Sequence, residues 1–325
     1  MMYNVSIIVP VYNVEKYVGR CVRSLFEQTF RNIEYIFVND HTPDRSMQII
    51  ENIVAEYPDR QKNIRYLYHR ENKGLPSARN SGLNIATGEY VFHCDSDDWV
   101  DKTMIEKMYD SAQKQNADIV YADWYLSFRK NERYMHEPSL TTPYDCLKSI
   151  LEGKMRYNVW NKLIKRNLYV DNQISFPDGC SMGEDMTIIK LFCHSGKVAF
   201  LHCAYYHYMQ TNACSYTKSG SNTSLIQTYT NANDTIKYIE GIYRGLLNKE
   251  IHRFKLSVKL PLLITSRNTN YKIWLDWFPE SNHYIGLSPS LRIRLVQYAA
   301  VRHQFWLIRL HYYGVIKIVY GLIYR

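Results

Sequence analysis

Several things are missing from this 325-residue chain, and each absence removes a class of protein. No uncharged apolar run approaches the ~20 residues a helix needs to cross a bilayer, so a spanning anchor is not expected. The chain does not open on a basic stretch followed by an apolar one, so no secretory leader is read. The cysteines (Cys21, Cys94, Cys146, Cys180, Cys193, Cys203 and Cys214) are odd in number and show no C-x-x-C pair, which speaks against a zinc or redox motif. They read as reduced thiols of a cytoplasmic protein, mostly small buried hydrophobes. No G-x-G-x-x-G follows the first apolar run, so a dehydrogenase is excluded. Internal repeats and low-complexity segments are absent too. From Ser281 onward there is no Asp or Glu at all.

What remains is a globular composition, 46% hydrophobic and 22% charged, with ample material for a core. Tyrosine is abundant at 29 residues, a side chain suited to surfaces that are half apolar and half wet, such as sugar sites or membrane interfaces. The net charge is +9, and Arg292, Arg294, Arg302, Arg309, Lys317 and Arg325 carry most of the excess. A basic surface is therefore expected at the C-terminal end and not around the chemistry. No recognised nucleic-acid module accompanies it, so nucleic acid is not an expected partner.

The apolar runs 5–9, 34–38, 64–68 and 90–94 read as strands. They alternate with helical patterns over 14–30, 46–57 and 76–86. Such alternation implies an α/β fold with a doubly wound, mostly parallel sheet covered on both faces. Ligands of such sheets lie at the carboxyl ends of the strands. Asp40 and the cluster Asp95, Asp97 and Asp98 fall at those ends. Shorter strands follow at 119–122 and 198–206, and the chain is largely helical from about residue 224, with a linker expected at Ser288-Pro289-Ser290. The expected organisation is a nucleotide-binding half (1–110), a second half of the same domain (111–223) and a helical, basic extension (224–325).

Asp-x-Asp at a strand end offers hard oxygen ligands for Mg²⁺ or Mn²⁺, leaving coordination positions for a substrate diphosphate. The same residues also suit a solvated turn capping the next helix. Asp40, in Asn-Asp-His-Thr-Pro-Asp, is either turn chemistry or an acceptor for a uracil N3–H. In the loop Asn72 to Asn80, Gly74 lets backbone approach a ligand, and Lys73 and Arg79 supply donors for a base or phosphate. The pair Glu184-Asp185, ahead of an apolar helix, reads either as acids at a helix N-terminus or, for Asp185, as a general base.

Taken in order, Ser6 to Asn13, Val38 to Ser46, Asn72 to Asn80 and His93 to Trp99 resemble the inverting glycosyltransferase family 2. Val159-Trp160-Asn161-Lys162-Leu163, Phe176-Pro177 and Gly183-Glu184-Asp185 resemble that family's acceptor half. The resemblance covers residues 3 to 215. It implies a glycosyltransferase A fold and a UDP-sugar donor, with 1–110 as a nucleotide-sugar-binding half and 111–223 as an acceptor-binding half of one catalytic domain. By carry-over, Pro10, Tyr12, Asn13 and Asp40 surround the base and ribose, joined by Arg79 and Lys73. Asp95, with Ser96 beside it, faces the ribose or donor sugar, and Asp97 is the main metal ligand. Asp185 matches the general base, Glu184 assists the acceptor, and Trp160 forms part of an acceptor platform or else packs in the core. His207 reaches the diphosphate or metal, or is a packed strand histidine. One departure is His41-Thr42 where the family usually has Gly-Ser, which puts the local turn and the base contact in question. The implied reaction is an inverting displacement onto an acceptor hydroxyl, with a saccharide or lipid-linked saccharide of surface-polysaccharide synthesis as acceptor.

Residues 291–325 mix aliphatic and aromatic side chains with regularly spaced cations. This suits amphipathic helices on an anionic membrane surface, peripheral on the inner face of the cytoplasmic membrane, or helices packed on the catalytic domain, or an oligomer contact. Two rivals remain. A nucleotidyltransferase should place a Gly-rich, Arg-containing loop where Pro10-Val11-Tyr12-Asn13 stands. A non-catalytic membrane-surface binding protein on a transferase scaffold should not retain Asp40, Asp95, Asp97 and Asp185 together.

Overall fold

The computed structural model describes residues 3–179, 184–212, 222–264 and 270–315, with the side chains of Glu184, Asn222 and Thr223 not described. The chain divides into two compact units, one of Met1–Leu147 with Met155–Gln227 and one of Lys148–Lys154 with Thr228–Arg325.

The first unit begins with the expected alternation. Strand β1 (Val5–Val11) leads to helix α1 (Val18–Phe26), then β2 (Ile33–Asn39), α2 (Ser46–Glu56), α3 (Pro58–Gln61), β3 (Ile64–Tyr68), α4 (Leu75–Ile85) and β4 (Tyr90–His93). Strands β3, β2, β1 and β4 lie side by side in that order and all parallel. Every residue of β1 and β4 is buried, as a parallel strand covered on both faces must be. On one face α1 lays down Val18, Cys21, Val22, Leu25 and Phe26, spaced at helical period. On the other, Ala78 of α4 packs with Ile8, Ile36, Val38 and Val91. Helix α4 sits unusually close to the sheet because Gly82 faces Ile8; a methyl group there would run into the Ile8 side chain.

The remaining elements are β5 (Trp99–Val100), α5 (Met104–Gln115), β6 (Ile119–Ser127), β7 (Glu132–Met135), α6 (Pro143–Leu151), β8 (Lys162–Lys165), α7 (Arg166–Asp171), a 3₁₀ turn (Glu184–Met186), α8 (Thr187–His194) and β9 (Val198–Met209). They extend the sheet to β3-β2-β1-β4-β8-β6-β9-β5, with β7 on β6. Here β8 is antiparallel to both β4 and β6, β9 is parallel to β6, and β5 is antiparallel to β9. A register shift between β6 and β9 at Ala122–Trp124 bends this half.

The second unit is helical. It carries most of α9 (Asn222–Tyr243), then α10 (Asn248–Lys259), α11 (Pro261–Ile264), α12 (Tyr271–Asp276), a 3₁₀ helix (Pro279–Leu287), α13 (Leu291–Val301) and α14 (Phe305–His311). Its core includes a lysine: Lys259 is fully buried, donates to the carbonyls of Trp277 (2.8 Å) and Phe278 (3.3 Å) and to Asn282 Oδ1 (2.7 Å), and lies 4.2 Å over the Trp274 ring. Burial pushes this ammonium down to about 7. The expected linker at Ser288–Ser290 is instead part of the packing. Ser290 Oγ accepts the Ile293 N–H as the cap of α13, and Ser288 Oγ donates to Gln297 Oε1 (2.6 Å).

Candidate active site at the carboxyl ends of the strands

The donor side is assembled by the chain leaving β1 and β2. Pro10 is buried in β1 opposite Val38, whereas Tyr12 and Asn13 emerge beyond the strand and are exposed. The Asn13 N–H donates to Thr42 Oγ1 (2.8 Å), which ties this exit to the loop after β2. In that loop His41 adopts φ 58°, the left-handed region that glycine occupies without cost. The departure at His41 thus falls where the backbone itself asks for glycine. Asp44 organises the turn, with Oδ1 accepting from Thr42 Oγ1 (2.7 Å) and Ser46 Oγ (2.6 Å) and Oδ2 from the Glu15 N–H (2.9 Å).

Asp40 is buried, and its carboxylate accepts from the Lys73 N–H (2.8 Å), the Gly74 N–H (2.8 Å) and His69 Nδ1 (2.7 Å). It therefore pins the loop that opens α4. Gly74 has φ 86°, ψ 164°, a conformation a side chain would strain, and this is what aims its N–H at Asp40. The Lys73 side chain is exposed.

The loop after β4 carries the acids. Asp98 is buried; its oxygens accept from Tyr206 Oη (2.7 Å) and the Met209 N–H (2.7 Å), clasping β9. Burial, with Asp97 and Asp95 nearby, raises its pKa well above the usual carboxylate range. The Tyr206 hydroxyl also accepts the Asp95 N–H (3.1 Å). Ser96 is buried, and Asp97 accepts from Asn212 Nδ2 (2.8 Å). Three neighbouring aspartates thus have different tasks: Asp98 locks the loop to β9, while Asp95 and Asp97 remain half-buried at its surface.

Arg79 of α4 joins this loop to the acceptor half. Its side chain is 1% exposed, Nη2 donates to Asp95 Oδ1 (2.9 Å) and Nη1 to Asp185 Oδ1 (3.2 Å). Arg79 is expected from the sequence to be a donor for base or phosphate; the structure directs these two nitrogens to carboxylates. Asp185, in the 3₁₀ turn, keeps 26% of its side chain exposed. Desolvation by the surrounding protein raises its pKa, with Asp95 adding to the shift and Arg79 and Lys162 opposing it. Glu184 stands beside it in the turn, but its side chain, like residues 180–183, lies outside the described part.

Sequence reasoning passes over several residues of this neighbourhood. Lys162 of β8 is fully buried, donates to the carbonyls of Arg156 (3.1 Å) and Asn158 (2.7 Å) and to Asn161 Oδ1 (2.7 Å), and is pushed down to about 8 by burial. A lysine flanked by Val159-Trp160 and Leu163-Ile164 is the available signal. Asn80 holds Phe176 from both sides, donating to its carbonyl (2.9 Å) and accepting its N–H (2.9 Å). Tyr206 carries no signal beyond its place in a tyrosine-rich strand.

Trp160 is buried, stacked on Tyr206 (4.5 Å between ring centres) and Tyr208 (5.1 Å), with Trp124 edge-on. It supports the Tyr206 clasp from within the core. His207 stacks between Trp99 and Tyr125, both at 4.8 Å, and its ring nitrogens face Glu132 (2.8 Å) and Asp101 (3.3 Å). Successive strand residues point to opposite faces, so His207 turns away from the face on which Tyr206 grips Asp98. With both nitrogens engaged by carboxylates, the expectation of His207 as a metal ligand has no geometric support. Among the described residues no group of three or more His, Cys, Asp or Glu side chains is arranged to hold a metal ion.

Known proteins similar to this chain identify its family and fold. The chain is 34% identical over 217 residues to EpsJ of Bacillus subtilis strain 168, an uncharacterized glycosyltransferase, covering 63% of this chain and 61% of EpsJ. It is 30% identical over 217 residues to the glycosyltransferase GlyG of Streptococcus pneumoniae serotype 4, covering 63% of this chain and 70% of GlyG. The matches therefore span less than two thirds of EpsJ's length and slightly more of GlyG's. The crystal structure of S. aureus TarS 1-349 in complex with UDP-GlcNAc superposes with a TM-score of 0.69 at 19% identity, covering 95% of this chain and 91% of that one. This likeness shows the fold, a glycosyltransferase A sheet with C-terminal helices. Residues 6–186, more than half of the chain, match the family model for glycosyl transferase family 2, and the chain belongs to that family.

Proposed function

We propose that this protein transfers a sugar from a UDP-sugar to an acceptor hydroxyl with inversion at the anomeric carbon. The observation that carries the reading is Arg79 drawing together Asp95, on the donor-side loop, and Asp185, whose surroundings raise its pKa. A carboxylate that is partly exposed and more basic than usual is suited to general-base work near neutral pH. In this reading Asp185 takes the proton of the acceptor hydroxyl as its oxygen bonds to the anomeric carbon. The bond from that carbon to the nucleoside diphosphate breaks on the opposite face, so an α-linked donor gives a β-glycoside.

Tyr12 and Asn13 lie where a uridine would rest. Asp40 acts mainly by fixing the Lys73–Gly74 backbone, with an acceptor position left over for a uracil N3–H. For a divalent cation the described residues offer Asp97, half-buried at the loop surface, and no multi-residue cage. That fits Mg²⁺ or Mn²⁺, which are held by one or two carboxylates and otherwise by water and substrate phosphates. Such an ion supplies charge neutralisation for the departing diphosphate. Trp160 supports the acceptor side from the core, and Glu184 is assigned to the acceptor.

The acceptor in this reading is a lipid-linked saccharide of surface-polysaccharide synthesis, met by a protein lying on an anionic membrane. Support comes from α13 and α14. Leu291, Leu295 and Tyr298 on one and Trp306 and Leu310 on the other are exposed at helical spacing, with Arg302 and Arg309 exposed among them. No described helix is long and apolar enough to cross a membrane. The rest of the basic segment, 316–325, lies outside the described residues. Leu295→Glu with Trp306→Glu should abolish sedimentation with phosphatidylglycerol vesicles; unchanged sedimentation removes this part of the reading.

The donor assignment is tested by calorimetric titration with UDP, in Mn²⁺ and then in EDTA. The expected result is metal-dependent binding that Asp97→Ala weakens at least tenfold. No UDP binding under either condition overturns the donor assignment.

A further inference from the structure

Helix α4 carries two consecutive side chains, Arg79 and Asn80, that both reach the acceptor half, and the Lys73–Gly74 backbone leading into it is held by the Asp40 carboxylate. It is also the helix whose distance from the sheet is set by the Gly82–Ile8 contact. The donor-side loop and the candidate base are therefore hung on one rigid element.

We infer that Arg79 is a positioning residue, whose guanidinium sets the orientation and charge state of Asp185 by holding it against Asp95. The inference rests on the reading of Asp185 as general base.

The geometry argues for it in three ways. A guanidinium presents its donors in a fixed planar fork, so two terminal nitrogens engaged on two carboxylates define where both sit. The side chain has little freedom of its own, being buried with its guanidinium carbon 5.5 Å from the centre of the Phe176 ring. That ring belongs to the residue Asn80 grips through its backbone, so the arginine and the segment leading to Asp185 share one anchor.

Charge gives the second reason. Among the described residues, the groups facing Asp185 are Arg79 from α4, Asp95 from the loop after β4, Lys162 from β8 and the Tyr169 phenol from α7. Lys162 spends its ammonium protons on Arg156, Asn158 and Asn161, which leaves Arg79 as the cation shown hydrogen-bonded to Asp185. Two carboxylates brought to one place repel, and an intervening cation lets both stay ionised. A base that must accept a proton near neutrality needs its pKa raised by burial but not so far that it is already protonated. Arg79 supplies the opposing pull.

The test follows the Asp185 carboxyl carbon by NMR across pH in full-length protein labelled with ¹³C-carboxyl aspartate, with Asp185→Asn identifying the resonance. Removing the cation in Arg79→Met should raise the Asp185 midpoint by about one to three pH units, the range for an opposite charge at contact. Arg79→Lys keeps the charge without the fork, and should return most of that shift while altering the Asp185 chemical shift. UDP affinity is measured by calorimetry on the same variants. Should Arg79→Met not fold, the Arg79→Lys chemical shift and UDP affinity decide. An Asp185 resonance unmoved in both variants overturns the inference, as does a UDP affinity that falls tenfold or more while the midpoint stays put. Failure of the base reading shows separately, as sugar transfer or donor hydrolysis that survives Asp185→Asn.

Discussion

The two ends of the parallel strands both carry buried or half-buried acids, and they treat them in opposite ways. At the amino end, Glu34 of β2 is fully buried, and its Oε1 accepts from Ser6 Oγ (2.5 Å), the Thr87 N–H (2.5 Å), Thr87 Oγ1 (2.9 Å) and the Gly88 N–H (3.1 Å). Those donors come from β1 and from the turn between α4 and β4, and the carboxylate staples both to β2. At the carboxyl end, Asp95 and Asp185 keep about a quarter of their side chains exposed and share one arginine. Asp98, between the two styles, has turned into a staple within an otherwise open cluster. An acid's neighbours, more than its place in a motif, tell which work it does.

The comparison breaks most visibly at Asp185. Asp185→Asn should leave thermal unfolding within a degree or two and reduce turnover by about 10²–10⁴-fold, the usual contribution of a general base; full turnover would move the acid into the structural class. The same residue sets a pH dependence. The base works ionised and its pKa is raised, so kcat/KM should fall as pH drops through a value above the ordinary carboxylate range. A pH–rate profile flat down to about pH 4 contradicts this. Glu34→Ala should do the reverse. It strands buried donors of Ser6, Thr87 and Gly88, costing roughly 3 kcal/mol of stability in denaturant titration, with activity per folded molecule unchanged. Smallest is His41→Gly, which relieves a left-handed residue beside the site but adds freedom to the unfolded chain. A net gain of about 0.5 kcal/mol in stability is expected, and a loss would mean that the imidazole makes a contact worth more than the strain.

Much of the donor half is legible in the sequence because its signals are local. Apolar runs of five residues ending in Asp or Asn, separated by helical patterns, are enough to put Asp40 and Asp95 at strand ends. The other half is legible only in part: the strands read at 119–122 and 198–206 correspond to β6 and β9, whereas β5 spans only Trp99–Val100 and β8 only Lys162–Lys165, too short to impose a period. Nor does a sequence say that Arg79 reaches Asp185 or that Tyr206 holds Asp98, because those pairs are joined only by the path of the sheet. Of the two readings of His207, a diphosphate or metal contact and a packed strand histidine, a pattern present in the sequence favours the second. Strand alternation places it on the opposite face from Tyr206, away from the acids that Tyr206 binds.

The site's contacts also say something about how the protein comes into being. Arg79 and Asp185 are 106 residues apart, Asp95 and Tyr206 111, and Asp97 and Asn212 115. Contacts of such separation form slowly, after local structure. On the ribosome, strands β1 to β4 can collapse as a parallel core soon after they emerge, with β4 as an open edge until β8 arrives to pair with it. An unpaired, largely apolar edge invites association with other chains. The nascent protein thus passes through an interval in which its best-formed part is also its most adhesive, and it gains a working centre only once the chain has been made to about Asn212.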